Sequence, residues 1–327
     1  MKNLILILTI ILISMNAFSQ NIYSDKLAHT YSIVARDSVT GEMGVAVQSH
    51  WFSVGSIVSW GEAGVGVVAT QSFVNPSFGI KGLELLKSGK SPQEAVDELI
   101  AADDGRDVRQ LAILDVKGRS ASYTGKNCIP EAGSIAKDNY SVQANMMLTD
   151  KVWGAMSEAF ENSAGPLAER MIAALEAAQN AGGDIRGQQS ACLLIVKGKA
   201  TGNPWEDKFI DLRVDDNTEA VKEIKRLLKV YRAYEHMNKG DLAIEKNDMD
   251  LAMNEYSTAE EMFPENLEMK FWHAVTLANT GKVNESLPMF TEVFLKDNNW
   301  RILFGRLKPS GLLKISDSDV QTILDLK

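Results

Sequence analysis

Apolar and polar positions follow two different rhythms along this chain, and the change falls near Asp215. Before it, short runs rich in Val and Ile and broken by Gly, at 32–35, 44–48, 57–60 and 65–70, predict paired strands. Helical spacing takes over at 79–88 and 92–101. The second of these opens with Ser91 as N-cap, Pro92 at the first helical position and Glu94 at the third, a capping box. Residues 111–116 and 121–124 alternate about Lys117-Gly118, as the arms of a hairpin do. Helices are expected again at 153–161 and 167–178, the latter stopped by Gly182-Gly183, and strands at 191–196 and 210–214. This order predicts sheets covered by helices on their outer faces.

Beyond Asp215 the pattern is helical and dense in charge as far as Asn299. Val221, Ile224, Leu227, Leu228 and Tyr231 form one apolar stripe, which predicts a helix that buries that face. Further on, Gly240, Ala252, Tyr256, Ala259 and Pro264 are answered 34 residues later by Ala274, Ser286, Phe290, Val293 and Asn298. Apart from the proline the residue types correspond, which is the register of a tetratricopeptide unit: two antiparallel helices with small residues where they touch and an aromatic wedged between them. Both units lack the usual early tryptophan and leucine, so a generic helical bundle stays open.

Composition places this protein in a compartment. Lys2, the apolar run 4–13 and the small-x-small tripeptide Ala17-Phe18-Ser19 form a secretory signal with a cut expected after Ser19. No later run is long enough to span a bilayer, so a periplasmic or extracellular protein is expected. The formal charge of −9 becomes −10 without Lys2, which argues against a nucleic-acid partner. Cys128 and Cys192 permit one disulfide in an oxidising compartment, or two separate buried thiols. Without a Cys-x-x-Cys or His-Glu-x-x-His motif the sequence implies no metal site, and no cofactor is expected. Gly64-Val-Gly-Val-Val-Ala69 fits a dinucleotide fingerprint in letters but runs into an extended segment instead of a helix. There is no Gly-x-Ser-x-Gly elbow.

Thr30 carries the sharpest chemistry. It opens the alternating run Thr-Tyr-Ser-Ile-Val-Ala-Arg, and a threonine freed at its amide is a nucleophile whose own α-amine serves as base. An α-amine with a pKa of about 7.7–8.0 suits that task; an amide nitrogen does not. The route therefore requires a cut between His29 and Thr30.

Several segments together resemble one bacterial family: 30–37, Trp60-Gly-Glu-Ala-Gly-Val-Gly-Val-Val-Ala-Thr-Gln71, Arg109-Gln-Leu111, Thr124-Gly125, Pro166-Leu-Ala-Glu-Arg170 and 182–190. The family is domain of unknown function 1028, placed among the N-terminal-nucleophile (Ntn) hydrolases, and the resemblance covers about 30–228. It implies an α+β fold, a four-layer αββα sandwich, followed here by an all-α tetratricopeptide-like region. Boundaries are expected at 1–19 for the signal, 30–228 for the sandwich, 229–300 for the repeats and 301–327 for a tail. In the segment 45–50, Gln48 and His50 stand where proteasome-type subunits carry aspartate and arginine. No lysine lies between Thr30 and Lys81, so the superfamily's usual lysine is missing there and Arg36 and His50 are the only basic groups.

Two functions follow as expectations. The first is a secreted amidohydrolase acting on a small amide or peptide-like substrate. Thr30 attacks, Ser49 and His50 line its strand, and Gln71, Asn75 and Asn145 are polar anchors or oxyanion donors. Arg186 and Gln189 hold a substrate carboxylate, a task suited to the guanidinium fork. The alternative is a catalytically silent envelope protein that binds a peptide or protein through its helical repeats.

Overall fold

The computed structural model describes residues 26–327, so the signal segment lies outside the described residues. The chain divides into two compact units that meet at Arg226 and Leu227. In the first, strands β1 (Lys26–Ala28), β2 (Thr30–Arg36), β3 (Met43–Ser49), β4 (Ser59–Glu62) and β5 (Gly66–Val74) precede helices α1 (Ser77–Lys87) and α2 (Pro92–Ala101). Strands β6 (Arg109–Asp115), β7 (Ser120–Thr124), β8 (Gly133–Lys137) and β9 (Tyr140–Ala144) follow. Helices α3 (Val152–Asn162) and α4 (Leu167–Asn180) and strands β10 (Ser190–Val196) and β11 (Lys208–Val214) complete it.

These strands make two antiparallel sheets. One runs β1-β5-β6-β7, with β4 also on β5; the other runs β11-β10-β3-β2-β9-β8. Helices α1 and α2 pack on β5, β6 and β7, whereas α3 and α4 pack on β2, β3, β8 and β9. The two sheets face each other through β2, β3 and β9 on one side and β4, β5 and β6 on the other. Strand alternation sends every second side chain into the layer between the sheets. At one end that layer is apolar, with Val34, Met43, Val45, Val47, Val67, Ala69, Leu114 and Leu194 buried together. At the other end the same strands present Thr30, Ser32, Ser49, Gln71, Gln110 and Gln143, all inaccessible to solvent.

Local signals decide the element ends. The capping box of α2 is formed, with Ser91 Oγ accepting from the Glu94 amide and Glu94 returning a carboxylate to the Ser91 amide. Such a cap is worth about 1 kcal/mol. Gly182 and Gly183, both at positive φ, end α4. The glycine-rich run 64–69 belongs to strand β5 and the turn before it, not to a helix N-terminus. Cys128 and Cys192 are separate buried thiols, and burial pushes the Cys192 thiol up to about 11.

The second unit is helical. After α5 (Ala220–Glu245), which begins in the first unit, come α6 (Met249–Met262), α7 (Leu267–Asn279) and α8 (Val283–Lys296). Positions 34 apart have matching burial: Ala252 and Ser286, Tyr256 and Phe290, Ala259 and Val293 are all buried. A Cβ at Gly240 would stand 2.7 Å from the Tyr256 ring, so the small residue is what lets that aromatic in. The stretch expected as a tail instead forms α9 (Asn299–Leu307) and α10 (Asp317–Leu324). Their Phe304, Leu307 and Ile323 join Phe271, Phe290 and Phe294 in one core. That stretch is short of periodicity because each helix is only two or three turns long.

Candidate functional site

Thr30 is the first residue of β2, paired opposite Ser49 of β3 and flanked through Tyr31 by Ala144 of β9. It is fully buried in the polar end of the inter-sheet layer. Its hydroxyl donates to the Ala28 carbonyl at 2.7 Å. Its own carbonyl accepts from the Asn145 amide at 3.1 Å and from Gln71 Nε2 at 3.2 Å.

The peptide group before Thr30 is held as tightly. The His29 carbonyl accepts from Ser49 Oγ at 2.6 Å and from Arg186 Nη2 at 2.9 Å. Asp184, with a fully buried side chain, fixes that guanidinium: Arg186 Nε and Nη2 donate to its two oxygens at 3.0 and 2.7 Å. Asp184 also accepts from the His50 amide at 3.2 Å. A neutral and a cationic donor thus converge on one carbonyl oxygen, which is the arrangement that stabilises a developing oxyanion.

Behind Thr30 lies a closed network of amides. Gln110 Nε2 donates to the Ala144 carbonyl at 2.9 Å, so its Oε1 is the acceptor for Gln71 Nε2 at 2.7 Å and Asn145 Nδ2 at 2.9 Å. That leaves Asn145 Oδ1 as acceptor, 2.8 Å from His29 Nδ1, which therefore carries the proton. Gln143 Nε2 donates to Ser32 Oγ at 2.5 Å, and Ser32 passes its proton to Gln71 Oε1 at 2.6 Å. Backbone carbonyls orient the amides of Gln110, Gln71 and Asn145, and Ser141 Oγ, donating to Gln143 Oε1 at 3.2 Å, orients the fourth. His29 is 1% exposed and its ring meets Phe73 edge-on at 5.6 Å. Burial holds the imidazole below its usual range.

Of the expected site residues, the structure brings Thr30, Ser49, Gln71, Asn145 and Arg186 together. His50 contributes its backbone amide, while its side chain lies in an exposed residue. Asn75 accepts from the backbone and hydroxyl of Ser77, a local turn that starts α1. Gln189 donates to Asp216 at 3.1 Å. Arg186 is bound to Asp184 and to the His29 carbonyl, so its fork is engaged where a free substrate carboxylate was expected. Arg36 lies at the far end of β2, donating to Asn139; the cation at Thr30 comes from Arg186. Gln48 points away from the inter-sheet layer, toward the Gly187 carbonyl. Sequence reading missed His29, Ser32, Gln110, Gln143 and Asp184. Strands β8 and β9, which carry Gln143 and lead to Asn145, were also missed; Asp138-Asn139, with Asn139 at φ 69°, was the available turn signal. Among the described residues no group of three His, Cys, Asp or Glu side chains is placed to hold a metal ion.

No curated protein matches the chain. Its solved neighbours include protein SPO2555 from Silicibacter pomeroyi, described as a DUF1028 family protein. That protein is 31% identical, with a TM-score of 0.56 over 62% of this chain and 88% of that one. Anbu, an ancestral beta-subunit from Yersinia bercovieri, aligns at 13% identity with a TM-score of 0.31, over 60% of this chain and 92% of that one. Residues 30–224, more than half of the chain and beginning at the threonine just described, match the model of the family of unknown function DUF1028, and the chain belongs to that family.

Proposed function

We propose that this protein is an exported amidohydrolase of the N-terminal-nucleophile type, whose nucleophile Thr30 is freed by cleavage of the His29–Thr30 bond. The observation that carries the reading is the pair of donors, Ser49 Oγ and Arg186 Nη2, on the carbonyl of that bond. The helix–sheet–sheet–helix order supports a four-layer αββα sandwich, and the family match that starts at Thr30 supports a functional unit beginning there. Cleavage by the chain itself balances as follows. Thr30 Oγ adds to the His29 carbonyl carbon, the C–N bond breaks, and the hydroxyl proton goes to the departing nitrogen, which becomes the α-amine. Water then hydrolyses the ester, leaving His29 as a carboxylate and Thr30 with its hydroxyl restored. In turnover the α-amine takes the Thr30 proton as Oγ attacks a substrate amide and hands it to the leaving amine, and water then hydrolyses the acyl ester on Thr30, releasing the acid and restoring the hydroxyl. Before attack the hydroxyl turns away from the Ala28 carbonyl.

Intact mass and N-terminal sequencing of the exported protein test this reading. A chain beginning at Thr30, with Thr30→Ala left uncut, is expected. A chain that keeps residues 26–29 in both forms overturns it.

A second reading concerns the helical unit. The matched burial at positions 34 apart supports tetratricopeptide-like packing, and stacks of such repeats present extended concave binding surfaces. On this reading the protein recruits an envelope partner without catalysis. Deleting residues 234–327 is then expected to abolish partner capture; a truncated chain that captures the same partners rules it out.

A further inference from the structure

Residues 26–29 do more than precede the nucleophile; they occupy a strand position beside it. β1 pairs antiparallel with β5 in the register Lys26 to Val74, Leu27 to Phe73 and Ala28 to Ser72. The same edge of β5 is covered farther along by β4, from Ala69 to Gly66, and the opposite edge belongs to β6. Removing residues up to His29 therefore bares one short stretch of strand edge, Ser72–Val74, next to the new amine of Thr30. An unpaired edge beside a nucleophile is a template for an extended peptide.

The position of His29 adds side-chain selectivity. Its ring is enclosed, edge-on to Phe73, and its Nδ1–H meets Asn145 Oδ1 at 2.8 Å. Asn145 cannot turn its amide to suit another guest, because its NH2 is committed to Gln110 Oε1 and the Thr30 carbonyl. The pocket therefore offers a fixed acceptor and calls for a planar side chain with a donor at that place. We infer that the processed site takes an extended peptide whose acyl-side residue is histidine, paired antiparallel on Ser72–Val74 with its scissile carbonyl on Ser49 and Arg186. The segment that leaves is then the first substrate, and with its new C-terminal carboxylate a product inhibitor. This rests on the assignment of Thr30 as nucleophile.

The test uses the full chain after processing, shown by mass to begin at Thr30. Three probes are compared: acetyl-Lys-Leu-Ala-His linked to aminomethylcoumarin, the same peptide with Phe for His, and the His peptide with N-methylated Leu and Ala. The His probe is expected to show a kcat/KM at least about tenfold above the Phe probe, since the latter strands a buried acceptor. N-methylation is expected to cost a similar factor, and the free acid Lys-Leu-Ala-His to inhibit competitively. Equal rates for the three probes, or no hydrolysis by a chain that does begin at Thr30, overturn the substrate inference while leaving the processing reading intact. A chain that never loses residues 26–29 overturns both.

Discussion

Replacing Gln110 by Leu removes the hub of the amide network while roughly keeping its volume. Gln110 Oε1 accepts from Gln71 and Asn145, and its Nε2 donates to the Ala144 carbonyl at 2.9 Å and to Thr124 Oγ1 at 3.0 Å. Gln71, Gln110 and Asn145 are fully buried, so water cannot replace the lost partner there, whereas the half-buried Thr124 can turn to solvent. Gln71 keeps a bond to the Thr30 carbonyl, whereas Asn145 keeps only a long one, at 3.4 Å. About three buried groups are left short, each costing about 1–3 kcal/mol, and the partial rescues hold the sum near 3 kcal/mol. For a unit of this size that lowers Tm by roughly 6–12 °C. Calorimetry on the full chain measures it, with Phe290→Ala, a cavity in the helical core worth about 3–5 kcal/mol, identifying the other transition. A Gln110→Leu shift below about 2 °C in the sheet-containing unit would refute the view that the network is closed and dry.

Ser49→Ala removes the neutral donor on the His29 carbonyl and is expected to slow appearance of the Thr30 terminus by about 10²–10³, followed by mass spectrometry; an unchanged rate removes Ser49 from the oxyanion role. His29 supplies a pH dependence in the uncut chain. Its folded pKa lies below the ordinary 6.5 through burial, so the unfolded chain binds more protons under pH 6.5. The stability this neutral imidazole contributes is present above that pH and is lost as pH falls below it, by at most about 1.4 kcal/mol per pH unit. Denaturant titrations of the uncut Thr30→Ala chain at pH 7.5 and 5.5 should show the loss, and His29→Asn should flatten it. Gly79→Ala places a methyl against the Trp60 indole inside a packed helix–sheet contact, and a loss of about 1–3 kcal/mol is expected in urea; a neutral result would show that Trp60 can swing aside.

Much of the two-sheet unit was legible because amphipathic helices and alternating strands write their burial into the sequence. Residues 92–101 were bounded to the residue by Ser91, Pro92 and Glu94, a purely local signal. Strands β8 and β9 were not legible, since Ser134, Ser141 and Gln143 break the apolar alternation: their inward positions face the polar end of the layer. The site was half visible for the same reason. Thr30 and Ser49 stand at strand ends, where chemistry is looked for, but Gln110 and Gln143 read as solvent-facing until the two sheets are stacked. Asp184 sits between Gly183 and Ile185 in what reads as an ordinary loop, and its role is set by Arg186 and His50, contacts that no sequence spacing encodes.

The division of the inter-sheet layer into an oily end and an amide end has a consequence for how the chain finds its pairing. A strand flanked by uniform apolar residues can slide by two positions and still bury a valine. β2 cannot: moving it two residues toward its N-terminal end would set Val34 against Gln71 and Gln143 and strand their amides without partners. Sliding it the other way would drive Ser32 toward Val45 and Val67. A slip of one position would turn Tyr31 and Ile33 inward and expel Thr30 altogether. The buried glutamines thus act as an index mark, leaving one alignment of β2 with β3 and β9 in which Ser32 answers both Gln71 and Gln143, and that alignment is the one that delivers the threonine hydroxyl to the end of the layer.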